Sequence, residues 1–189
     1  MYGHGYINRK GMAVLATQPK MTVDIDYVYH YIKEGWAKQQ TLTLREMLAL
    51  TDDREQQKYK KLNFETVTFA GRFCYRDSKS LIERSPYIVI DIDHLGSMER
   101  AREVQQLFID DTHLETALCF VSPRGEGVKW VVRLPEWCEG MTFVEQFESI
   151  CKHVVFNYGI EVDCAGHDLC RACYLGYDPE CYIGERYIH

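Results

Sequence analysis

The chain has 189 residues, of which 46% are apolar and 26% charged, and a formal net charge of −6. These proportions suit one globular domain and exclude a largely disordered chain, a collagen-like fibre and a coiled-coil rod. The acidic balance argues against indiscriminate nucleic-acid binding, and no apolar run approaches the ~20 residues a membrane helix needs, so a cytoplasmic protein with no membrane partner is expected.

Residues 1–20 show no periodicity and read as a loose N-terminal arm. Val23, Tyr27, Val28, Tyr31 and Ile32 then recur at helical spacing, and Gly35 ends that helix. Thr43 and Glu46 have the spacing of a capping box and predict a second helix from that point. Residues 52–61 read as a short charged helix. Residues 64–70 alternate and predict a strand, continued after Gly71 over 73–75. The run YIVIDI at 87–92 is the strongest strand and is expected to be central. Ser97 caps a helix through Phe108. Strands are expected at 116–121 and 128–134, an amphipathic helix at 143–156, and short strands at 160–162 and 172–175. The expected class is therefore α+β: an RRM- or ferredoxin-like β-α-β-β-α-β unit over 85–189, preceded by an α+β unit over 21–84 of the same domain.

Charge is unevenly spread. Residues 54–84 hold eight basic and four acidic side chains, and residues 134–189 hold three basic and ten acidic ones. Lys60, Lys61, Arg72 and Arg76, with Tyr59, Phe73 and Tyr75 among them, could neutralise and stack on a single strand of DNA or RNA; a plain solvated surface would look the same in sequence.

Three motifs could carry chemistry. Asp91 and Asp93 lie two apart at the end of an apolar strand and so share a face. Two carboxylates that close repel unless a cation lies between them, and Mg²⁺ or Mn²⁺ suits oxygen ligands. The alternative is a strand end dipping into solvent. Ser122-Pro-Arg124-Gly125-Glu-Gly127-Val-Lys129 joins two strands. Its glycines let backbone amides approach a phosphate, with Arg124 and Lys129 supplying charge, although Gly-Glu-Gly also suffices for a plain hairpin turn. Asp163 ends another short apolar segment and is a third candidate metal carboxylate, and Arg171 could offset a triphosphate; a surface Asp–Arg pair is the alternative. Cys164, His167, Cys170 and Cys173 are soft ligands in a cluster, but their spacing fits no common zinc finger, and a structural zinc is not expected there. With no convincing export signal, the eight cysteines read as free thiols.

Taken in order, these motifs resemble the archaeo-eukaryotic primase superfamily, in particular the VirE N-terminal-type primase-like domain of bacterial primase–helicase proteins. The resemblance runs from about Val23 to Ile183. It is carried by Lys60-Lys61 before Gly71-Arg-Phe, by Tyr87-Ile-Val-Ile-Asp91-Ile-Asp93, by Ser122 to Trp130, and by Val162-Asp163 with Arg171-Ala-Cys-Tyr-Leu. It implies a divalent-metal-dependent nucleotidyltransferase that uses nucleoside triphosphates on single-stranded nucleic acid in replication of a mobile element or phage, with a replicative helicase as partner. Asp91, Asp93 and Asp163 would then be the metal ligands. In the family's second motif a His contacts the incoming nucleotide, and Lys129 stands at that position here. Lysine binds phosphate as a point charge but cannot replace imidazole in proton transfer. Two other readings share these residues: a catalytically inactive nucleotide-binding module and a metal-dependent nuclease.

Overall fold

The structure, a computed structural model, describes residues 5–7, 19, 21–162 and 167–189. Strand β1 (Gly5–Ile7) pairs antiparallel with β2 (Met21–Val23), so part of the expected arm is strand. Asp24 accepts a hydrogen bond from the Tyr27 amide and starts α1 (Ile25–Lys33). Val28, Tyr31 and Ile32 of the expected stripe are buried on it together with Ile25, whereas Val23 belongs to β2 and Tyr27 is half-buried. Helix α2 (Lys38–Met47) begins well before the expected capping box, and Thr43 lies inside it. Its anchoring polar residue is the buried Thr41, which donates to the Ala37 carbonyl and accepts from the Tyr177 amide at 2.8 Å. Asp52 caps α3 (Asp53–Asn63), the charged helix read from the sequence.

Of the strand expected at 64–70 only β3 (Thr66–Val67) pairs. The Thr68 hydroxyl donates to the Gly71 carbonyl and the Ser85 hydroxyl to the Phe69 carbonyl, which diverts the backbone from a ladder. Strand β4 (Gly71–Phe73) forms a hairpin with β5 (Leu81–Arg84). Side chains on both sides of β5 are at least partly exposed, so it lacks the alternation that would have announced it. Then follow β6 (Tyr87–Ile92), α4 (Met98–Ile109), β7 (Glu115–Val121), β8 (Val128–Arg133), α5 (Phe143–Tyr158), β9 (Cys173–Tyr174) and β10 (Tyr182–Ile183).

The main sheet has the antiparallel order β10-β7-β8-β6. The fold is α+β, and the neighbours β6-β8-β7 follow the expected β-α-β-β order. The last strand differs: residues 160–162 form no strand, and β10 lies at the opposite edge, beside β7. Strand β9 pairs instead with β3, stitching the tail to the N-terminal layer.

Both faces of the sheet are covered. Ile88, Ile90, Ile92, Val128, Trp130 and Val132 pack with Ala101, Val104 and Phe108 of α4 and Phe147, Ile150 and Val154 of α5. Trp130 stacks on Phe108 at 4.4 Å and donates to the Thr116 hydroxyl at 2.8 Å. Tyr87, Leu118, Phe120 and Val131 pack on α1, β3 and β9. Strand side chains alternate, so anchoring Ile90, Ile92 and Trp130 on one face sends Asp91 and Lys129 to the other.

Candidate functional site

Asp91 and Lys129 are register partners across β6 and β8, and both are more than nine-tenths buried. The Lys129 ammonium is in contact with Asp91 Oδ1 and lies 3.9 Å from Asp93 Oδ1. Arg171 Nη2 donates to Asp91 Oδ2 at 3.1 Å. Burial pulls the Lys129 pKa down, but the carboxylates of Asp91 and Asp93 outweigh it and hold the group above its ordinary 10.5. Lys129 is therefore a charged ammonium between the two carboxylates. Asp93 lies just past β6 with its side chain nearly half exposed.

The chain turns at His94, a non-glycine residue in the left-handed region at φ 60°. The next amide, Leu95, donates to the Glu126 carbonyl at 2.8 Å and ties this turn to the β7–β8 loop. Within that loop Ser122 donates to the Gly127 carbonyl and Gly125 to the Ser122 carbonyl. Those two amides are spent on the turn rather than open to a phosphate. Gly125 has φ 87°. A Cβ on Gly127 would collide with the Ile92 carbonyl oxygen and sit 3.2 Å from Asp93 Oδ1. Glycine there keeps the loop close against β6 and the approach to Asp93 clear. Arg45 of α2 clamps the loop from outside, donating to the Pro123 and Tyr177 carbonyls.

A cavity of about 90 Å³ opens here, lined among others by Lys60, Asp93, His94, Ser122, Arg124 and Lys129. Arg124 reaches Asp53 at 3.0 Å. Among the described residues Lys60 has no carboxylate within ion-pairing distance; its ammonium lies 5.1 Å from the Tyr174 ring centre. Burial, then the neighbouring Lys129 and Arg124 charges, push the Lys60 pKa down. On the far side of Asp93 and His94 lies an open groove of about 690 Å³, bordered by Ile92, Leu95, Arg100 and residues 159–162. The small cavity has room for about three waters; the groove is of a size that takes a small molecule.

The other expected residues are dispersed. Asp163 and Cys164 lie outside the described residues. Lys61 is exposed on α3. Arg72 pairs with Glu83 at 3.6 Å on the β4–β5 hairpin. Arg76 is exposed and its charge acts on Tyr174 and Cys170, near the cavity rim. Phe73 is 1% exposed and cannot stack on a base, which corrects that expectation. Cys170 lies against Asp168, and its thiol is pushed up to about 11 by burial and that carboxylate. Burial pushes the Cys173 thiol up to about 12.

The family model for the BT4734-like N-terminal domain matches residues 58–183, a span that contains every candidate site residue named above, and the chain belongs to that family. No curated protein and no solved structure matches the chain.

Proposed function

We propose that this domain is a primase-polymerase-like nucleotidyltransferase, of the VirE N-terminal type, that extends a strand on a single-stranded nucleic-acid template during replication of a mobile element or phage, alongside a helicase. The observation that carries the reading is convergence. Asp91, Lys129, Arg171 and Lys60 come from four separate segments, and they meet at the end of β6 beside Asp93 and the β7–β8 loop.

Lys60, Lys129 and Arg124 bind the triphosphate. Lys60 is already there as a desolvated cation with no carboxylate at ion-pairing distance among the described residues, so an incoming phosphate relieves its cost. Asp91 holds Lys129 and Arg171 in place. The groove beyond Asp93 and His94 takes the nucleoside.

The Lys129 ammonium occupies the space between Asp91 and Asp93, so a hard cation fits them only once Lys129 has left for the phosphate; the missing Cβ at Gly127 leaves space beside Asp93. The two carboxylates would hold Mg²⁺ or Mn²⁺, which when bound makes the attacking 3′-hydroxyl more acidic and offsets charge on the leaving pyrophosphate. Lys129 moves from Asp91 to phosphate as the nucleotide binds.

Labelled nucleotides, a primed single-stranded DNA or RNA template and Mn²⁺ or Mg²⁺ test this reading. Wild type extends the primer and Asp93→Asn does not; template degradation instead would make the protein a nuclease. A second reading, a nucleotide-binding module without catalysis, has one observation in its favour: both oxygens of Asp91 already have cationic partners. It predicts nucleotide binding with no extension by wild type.

A further inference from the structure

We infer that Asp111, His113 and His153 form a site for a zinc-class transition-metal ion, separate from the carboxylates of β6. The cluster lies at the other end of the main sheet. Asp111 and His113 belong to the turn between α4 and β7, next to Glu115, which pairs with Arg133 at the far end of β8. His153 comes from α5. One ligand atom from each of the three lies within 4.8 Å of the others.

The surroundings orient these donors. Asp111 Oδ1 accepts from the His113 and Leu114 amides at 2.7 and 2.8 Å, which fixes the carboxylate. Its Oδ2 lies 2.6 Å from His153 Nε2 and accepts from the Tyr158 hydroxyl at 2.5 Å. Asn157 lies 3.0 Å from His153 Nδ1. Asn157 Nδ2, which also donates to the His153 carbonyl, faces Nδ1, so Nε2 carries the proton shared with Asp111 Oδ2, and a bound ion takes that proton's place between the two. A carboxylate locked by two backbone amides is a usual support of a metal ligand.

The donor set decides the class of ion. Two imidazoles and one carboxylate favour Zn²⁺, Co²⁺ or Ni²⁺ over Mg²⁺ and Ca²⁺, which take oxygen. Three protein ligands leave a fourth tetrahedral position open. His113 is exposed and lines an open groove of about 660 Å³, which gives an ion its way in. The bound ion ties α5 to the turn before β7.

Chelator-treated protein carrying no affinity tag, titrated with Co²⁺ and followed by visible absorption, tests the site. In excess Mg²⁺, which fills the β6 carboxylates, wild type takes up one equivalent of Co²⁺ that Zn²⁺ displaces. His113→Ala, which removes an exposed side chain, lowers the affinity at least ~10-fold. Asp91→Asn leaves uptake unchanged, which separates this site from the β6 carboxylates. No uptake by wild type, equal uptake by His113→Ala, or a thiolate-to-cobalt charge-transfer band would overturn the proposal.

Discussion

Asp91 and Asp178 are both buried carboxylates paired with an arginine, yet they are built differently. Asp178 is fully buried. It takes two bonds from Arg102, one from the Val121 amide and one from the Glu180 amide. Arg102 also reaches Gln105, which bonds the Cys119 and Glu180 carbonyls. Arg102 sits on α4 and Val121 on β7, and Glu180 lies in the turn before β10. Asp91 instead meets the ends of two long side chains, Lys129 and Arg171, and has no backbone amide donor among the described residues. Asp178 locks the end of β7 to the tail; Asp91 is held by the ends of two long side chains, the arrangement the proposed nucleotide site calls for.

The two should respond differently to the same change. Asp178→Asn turns an amide group toward donors at a fully buried position and leaves Arg102 only its longer contact to Glu180 at 3.5 Å, a loss of about 3–5 kcal/mol. Asp91→Asn keeps one oxygen for Lys129, which also has Asp93 at 3.9 Å, and so costs less, about 1–3 kcal/mol. Urea unfolding of both variants checks the order, and equal losses would erase the distinction. Gly127→Ala forces a Cβ onto the Ile92 carbonyl and costs about 1–3 kcal/mol by overpacking. It should also weaken nucleotide binding because the loop moves off Asp93; normal binding by this variant would show that the loop's closeness to β6 is only structural.

The smallest effect sharpens the contrast by running the other way. Lys60→Met removes a desolvated cation and should stabilise the free protein by about 1 kcal/mol, or roughly 2–4 °C in Tm, while weakening binding of inorganic triphosphate. The sign follows from the lowered pKa of Lys60. Its folded state disfavours the protonated form, so the penalty is fully present below the folded pKa and fades as pH rises towards 10.5. The Tm advantage of the variant should shrink over that alkaline range, as melting curves across pH would show.

Much of the fold is legible because strong local signals coincide with buried faces. YIVIDI is a strand at the residues expected, and Ser97 caps the helix that follows it. What escaped depends on contacts distant in sequence. Strand β10 has only two paired residues, and its place beside β7 is set by tertiary packing. Thr43 and Glu46 look like a cap, but Thr41 packing against Tyr177 extends the helix past them. At the site, the period of two put Asp91 and Asp93 together. It could not show that the register of β8 would set an ammonium between them. His94 has no role in the sequence reading, because a positive φ leaves no mark in the sequence when the residue is not glycine. Asp53 as the partner of Arg124, and Lys60 as a lining residue of the cavity, arise only when α3 docks beside the β7–β8 loop.

The most direct measurement is calorimetric titration with a non-hydrolysable nucleoside triphosphate in Mg²⁺, comparing wild type with Lys129→Ala and Lys61→Ala. Wild type should bind one nucleotide, Lys129→Ala should bind at least ~10-fold more weakly, in keeping with the loss of a charge-assisted contact, and the exposed Lys61→Ala should match wild type. Undiminished binding by Lys129→Ala, or none by wild type, would contradict the account.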